Sequence, residues 1–257
     1  MSTPAIIDTH CHLDVAEFAA DREQVLAAAR AVGVTELVIP AIDAPGWPGI
    51  LQLCRRHDGL HPALGLHPLY SDRHRNEALA QLAQLAGSEP LCAIGEIGLD
   101  FFTPSPDKAR QLWLLEQQLG IAKDAGLPVI LHNRKAHNEM LALLKRIRPS
   151  GGIVHAFNGS LELAGEYLRL GLKLGFGGML TYPRSRRLRT LASQLPVQAL
   201  VLETDAPDLT VAAHQGERNS PAYLPDCLAA LAEVRGEEPG WLAQQTSANA
   251  RAALALV

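Results

Sequence analysis

The sequence predicts a (β/α)8 TIM barrel, on three observations. Short apolar runs alternate with helical patterns eight times along 257 residues, the arrangement that builds a parallel sheet wrapped by helices. Five of those runs end in histidine or carboxylate, and barrel enzymes keep their chemistry at the carboxyl ends of the strands. The first run leads into Thr9-His10-Cys11-His12, where a doubly wound sheet would usually show a glycine-rich turn.

The first strand is expected over residues 5–14, which puts His10 and His12 on one face of an extended backbone. Val25, Leu26, Ala29 and Val32 recur at helical spacing over 20–32, and Gly33 ends that helix. A buried strand over 36–41, a helix around 50–54 and a third strand over 62–66 follow, the last running into His67-Pro68. After a helix near 77–86 comes the fourth strand, ending at Glu96. The long helix over 107–125 carries Leu112, Leu115, Leu119 and Ala122 on one stripe, closed by Gly126. The fifth strand ends at His132, before a helix with Met140, Leu143, Leu144 and Ile147 inward. The sixth strand ends at His155; a helix over 161–170, a seventh strand over 172–176 and a short basic helix from Ser185 come next. An eighth strand over 198–203 and helical sequence over 221–256 finish the pattern.

The motif-bearing strands run from residue 5 to residue 205 without a polar linker, so 1–257 reads as one domain. A net charge of -4 gives no global basic field, so a nucleic-acid substrate would need local basic groups or metal charge. Cys11, Cys54, Cys92 and Cys227 are scattered, with no C-x-x-C pair, which argues against a zinc knuckle or a disulfide framework. Neither a signal peptide nor a membrane span is apparent, and the cytoplasm is the expected compartment.

Four imidazoles and two carboxylates at matching strand ends exceed the needs of one tetrahedral ion and suit two divalent ions. The expected ligands are His10, His12 and Asp205 for one ion and His132 and His155 for the other, with Glu96 bridging. Two such ions activate a water and clamp the oxygen of a phosphoryl or acyl group, so the chemistry expected is hydrolysis. Asp205 stands next to the expected nucleophile and is the candidate proton acceptor. Glu203, two residues earlier on the same face, is a further ligand or general base, or a hydrogen-bonded support. Asp8 is a support for His10 or the polar start of a turn.

Four residues are candidates for holding substrate. His67 lies on the same rim, as a substrate contact or a turn residue. Arg134, two after His132, offers a planar fork for phosphate or carboxylate, or forms a salt bridge. Tyr182 and Arg184 follow the seventh strand with Arg186, Arg187 and Arg189, and barrels frequently bind phosphate in the loops after strands seven and eight. The other reading of that basic run is a solvated helix face. His57, His61, His74, His137 and His214 read as surface or packing histidines, and Trp47, Trp113 and Trp241 as isolated anchors.

Taken together, Asp8-Thr9-His10-Cys11-His12-Leu13-Asp14, Gly65-Leu66-His67-Pro68, Gly95-Glu96-Ile97-Gly98-Leu99-Asp100, Leu131-His132-Asn133-Arg134, Val154-His155-Ala156-Phe157 and Leu202-Glu203-Thr204-Asp205-Ala206-Pro207 resemble the TatD family of metal-dependent deoxyribonucleases. The stretch 177–183 and the Asp205-Ala206-Pro207-Asp208 ending resemble its YjjV-like branch, and Asn133 stands where a serine is common in the family. The resemblance implies a TIM barrel of the amidohydrolase kind, a divalent-metal phosphodiesterase acting on DNA, and metal roles for His10, His12, Glu96, His132, His155 and Asp205. Zinc, manganese and magnesium all remain open as the ion, and no protein partner is implied.

Two other readings stay open. An amide, lactone or ester hydrolase would use the same pair of ions, although no strand end is expected to offer the lysine that many such barrels carbamylate. A metal-binding protein without catalysis would hold its ions in closed coordination.

Overall fold

In the computed structural model, which describes residues 5–256, eight parallel strands follow one another around a TIM barrel in chain order. They are β1 (Ile6–Asp8), β2 (Val34–Pro40), β3 (Leu60–Leu64), β4 (Ala93–Asp100), β5 (Val129–Arg134), β6 (Gly152–Val154), β7 (Leu172–Phe176) and β8 (Leu200–Leu202). The helices are α1 (Arg22–Ala31), α2 (Trp47–Arg56), α3 (Glu77–Ser88), α4 (Lys108–Asp124), α5 (His137–Ile147), α6 (Leu161–Arg169), α7 (Arg186–Gln194), α8 (Leu224–Arg235) and α9 (Pro239–Ala253). None of the helices described is long and apolar enough to cross a membrane. The four cysteines are unpaired.

The apolar residues divide between two layers. The larger set packs the outer faces of the strands against the helices. The smaller set, Ile7, Val38, Ala63, Ala93, Ile130, Ile153 and Val201, forms an apolar floor with Ala250, Ala253 and Leu254 from the end of α9. Side chains alternate along a strand, so His132, His155 and Glu203 stand two residues above Ile130, Ile153 and Val201 on the same face. The floor thereby sets the depth of the polar residues above it.

Three of the boundaries that depart from expectation have a local reason. β1 stops at Asp8 instead of running to residue 14, because the His10 N–H turns into the Asp8 carboxylate at 3.2 Å. β4 continues to Asp100, so Glu96 lies in mid-strand and the register against β5 shifts between Ile94 and Ile97. Gly98 permits the close approach to β5, since a Cβ there would fall 1.9 Å from the His132 carbonyl oxygen. The helical sequence at the end breaks into α8 and α9 at Gly236, which adopts a left-handed φ of 64°.

Closure between β8 and β1 is made just beyond the ladder. Thr9 N–H donates to the Leu202 carbonyl (3.0 Å), Asp205 N–H to that of His10 (2.8 Å) and His12 N–H to that of Ala206 (2.8 Å). Asp8 fastens the seam, accepting from Thr204 N–H at 3.0 Å and from the Thr204 hydroxyl at 2.5 Å. Burial pushes its carboxyl up to about 7, against these bonds, which favour the charge. Asp8→Ala strands the Thr204 and His10 donors in a dry seam and should cost about 3 kcal/mol, read as a lowered midpoint of urea unfolding. Asp8→Asn, which keeps one acceptor, should lose less.

Candidate metal centre

Two loops and one strand deliver the first group of donors. His10 and His12 leave the end of β1, Glu96 points from β4, and Asp205 follows β8 in a left-handed conformation (φ 58°) that short polar side chains tolerate. His10 Nε2 lies 3.2 Å from His12 Nε2, 3.1 Å from Glu96 Oε2 and 3.6 Å from Asp205 Oδ1. His12 Nε2 lies 3.5 Å from that Glu96 oxygen and 3.7 Å from that Asp205 oxygen. Four donors around one ion, with bonds of about 2.1 Å, stand roughly 3.4 Å apart at the edges of a tetrahedron. The five separations given bracket that length, and His10, His12 and Glu96 lie close enough together to hold a divalent cation.

The other oxygen of Glu96 faces a second, more open group. Glu96 Oε1 is 3.0 Å from His132 Nδ1, 3.3 Å from His67 Nε2 and 3.9 Å from His155 Nε2. His155 Nε2 also stands 3.8 Å from Asp205 Oδ2. The structure thus brings together His10, His12, Glu96, His132, His155 and Asp205, with one oxygen of Glu96 toward each group. It also places His67, expected on the rim as a substrate or turn residue, against the Glu96 carboxylate.

The groups behind these donors fix their direction. Glu203 is buried on the Nδ1 side of His155, its Oε1 accepting from Ala156 N–H (2.6 Å) and standing 3.1 Å from His155 Nδ1, out of line for a hydrogen bond. The His10 and His155 rings stack with centroids 3.7 Å apart, so one carboxylate underlies both imidazoles. Gly175 makes the room, because a Cβ there would lie 2.1 Å from Glu203 Oε2.

Asp100 was part of a recognised motif but had no expected role. Its Oδ2 is 3.1 Å from His132 Nε2 and its Oδ1 accepts from Phe102 N–H at 2.9 Å. The signal available was position, four residues after Glu96 and therefore on the same face of one strand. Gln111 and Gln118 of α4 escaped sequence reading altogether. Gln118 bonds both the N–H and the carbonyl of Leu66, next to His67, and Gln111 bonds both main-chain groups of Asp100.

The charges in the cluster pull against burial. Burial opposes a proton on His12, but Glu96 and Asp205 win and lift it to about 9. Burial likewise opposes charge on His155, and Glu203 and Asp205 raise it to about 10. Asp205 is lifted by burial to about 6, in spite of His155 and His12. Glu96 is held well below the usual carboxylate range: burial works against its charge, but the surrounding imidazoles prevail.

The remaining candidates lie farther out. Arg134 is exposed, with its guanidinium 3.7 Å from the centre of the Phe102 ring and no salt bridge among the described residues. Arg184 lies over Tyr182, whose hydroxyl donates to the Thr210 carbonyl at 3.1 Å. Arg189 is taken by Leu180 and Glu233. Because β5 extends to Arg134, Lys135 does follow a strand end, contrary to expectation; its ammonium packs over Phe102 at 4.7 Å. His61 pairs with Glu36, His74 with the His67 carbonyl, and His214 stacks on Tyr223. His137 joins Asn133 and Tyr167 beside the rim.

Comparison with known proteins places this geometry in context. A family model described as TatD related DNase matches residues 7–255. YjjV of Escherichia coli K12, described as an uncharacterized metal-dependent hydrolase, is 42% identical over 241 residues, covering 93% of each chain. The crystal structure of YjjV, a TatD homologue, superposes with a TM-score of 0.94 over 98% of both chains at 40% identity. A protein of Cronobacter sakazakii named 3'-5' ssDNA/RNA exonuclease TatD is 35% identical over 95% of this chain and 96% of its own.

Cation binding must displace the protons that the carboxylates hold on His12 and His155. Titrating zinc or manganese at pH 7 should therefore release protons, seen as a binding heat that varies with the ionisation enthalpy of the buffer, and affinity should rise with pH up to about 10. Gly175→Ala, which drives Glu203 from beneath the imidazoles, should weaken cation affinity about 10- to 100-fold without exposing the core, measured by competition with a chromogenic chelator.

Proposed function

The chain belongs to the TatD related DNase family, and from that premise we propose that it hydrolyses phosphodiester bonds of DNA with two divalent cations held by its own rim of imidazoles and carboxylates. The chain is a metal-dependent hydrolase of this family. The observation that carries the proposal is the division of Glu96, whose Oε2 faces His10 and His12 while Oε1 faces His132 and His155. The name of the Cronobacter relative supports a nucleic-acid substrate.

When bound, zinc, manganese or magnesium supplies Lewis acidity and makes a water a nucleophile near neutral pH. His10, His12 and Asp205 would hold one ion, His132 and His155 the other, and Glu96 both. Asp205, lifted by burial to about 6, is poised to accept the proton that the attacking water loses. Glu203 serves catalysis from beneath, holding the His155 ring so that Nε2 faces inward. Arg134 and Arg184, both exposed, meet the flanking phosphates, with His67 and the Tyr182 ring lining the path to the centre.

The test is cleavage of an end-labelled single-stranded oligonucleotide by the metal-loaded protein, beside a panel of amides and lactones. Glu96→Gln and His132→Ala should each lower the rate on the order of 10²- to 10³-fold while leaving the far-ultraviolet circular dichroism unchanged. Turnover of amides or lactones alone would remove DNA from the proposal.

A further inference from the structure

Outside the metal centre, cations and aromatic rings are interleaved on the loops after β3, β4 and β5. The Arg73 guanidinium lies 5.4 Å from the Tyr70 centroid, the Lys108 ammonium 4.7 Å from that of Phe101, and Arg134 and Lys135 lie 3.7 and 4.7 Å from that of Phe102. Among the described residues, the salt bridges of lysine and arginine involve Arg55, Lys145, Arg146, Arg169, Arg189, Arg218, Arg235 and Arg251, so these four cations are free of carboxylate partners. In a chain of net charge -4, such a local surplus marks an anion-binding edge.

Phe102 is the most open ring of the group, 49% exposed, so about half of a large apolar side chain is left facing solvent. It is not loosely held. Its N–H donates to Asp100, and the same carboxylate touches the ring of His132, so the aromatic face is tied to the metal centre through one side chain. Lys135 adopts a left-handed φ of 57°, a conformation that a lysine takes only when its surroundings impose it.

We infer that Phe102, with Arg134 and Lys135, is a stacking platform that receives an unpaired nucleobase and the adjoining phosphates of a single strand as it enters the metal centre. The inference rests on the nuclease reading above and deepens it. Flat ring faces recognise any base, so binding here tolerates sequence. A base inside a duplex has both faces covered by its neighbours, so the platform selects single strands or frayed ends.

Fluorescence anisotropy on the full chain, with chelator present so that nothing is cleaved, separates the possibilities. The probes are a labelled thymidine hexamer and the matching abasic strand, which carries phosphates without bases. The wild-type protein should prefer the thymidine strand about tenfold. Phe102→Ala should lose that preference while binding the abasic strand as the wild type does, and Phe102→Trp should retain it. Arg134→Ala should weaken both strands and lower the slope of log affinity against log salt by about 1. Equal loss on both strands in Phe102→Ala, or no loss on either, would overturn the platform; if the wild type still cleaves DNA in that case, the nuclease reading stands. A wild-type protein that binds neither strand and cleaves no DNA would overturn both.

Discussion

Glu96 sets the problem that the rest of the molecule solves. A carboxylate with almost no contact with water is surrounded by His10, His12, His67, His132 and His155, so its charge is tolerated only because positive or proton-bearing groups face both of its oxygens. Imidazole nitrogens as close as 3.2 Å repel unless a proton or a cation stands between them. Such a concentration of donors persists only on a backbone that cannot relax. A barrel provides one, because β4, β5 and β6 are hydrogen-bonded on both sides, the segments after β1 and β8 are tied to each other across the seam, and the apolar floor resists compression.

Around the donors the chain spends further buried polar groups on direction. Asp100 orients His132, Glu203 underlies His155 and His10, and Gln118 and Gln111 satisfy the main chain beside His67 and Asp100. Each is buried with its polar atoms close to specific partners, and none touches the point where a substrate would react. Their common effect is to remove alternative rotamers from the donors, which is what a site for hard-to-place cations requires.

Much of this was legible in the sequence. The strands were legible as short continuous apolar runs because each is buried on both faces, and the donor residues followed those runs toward the end of the barrel where they converge. Asp8 was legible as a support for His10 or the start of a turn, but the early end of β1 that its carboxylate causes was hidden, because a side-chain acceptor competing with the ladder leaves no periodic signal. The extension of β4 was hidden by Gly98, which interrupts the apolar run in the sequence but serves close strand contact. Gln111 and Gln118 looked like ordinary helix residues seven apart; only the neighbouring strand ends reveal what they bond. Phe101 and Phe102 carried no period at all, and their meaning comes from cations contributed by other loops.

The seam joins residues far apart in synthesis. Asp8 emerges among the first residues, yet its partner Thr204 lies 196 positions later, and the floor is completed only by residues 250–254 at the end of α9. Until those arrive, the nascent chain carries Ile7, Val38 and Ile130 with nothing beneath them and a first strand with one edge bare. A fold that joins such distant segments cannot complete its core in step with synthesis and depends on shielding of its apolar interior until residues 250–254 have been made.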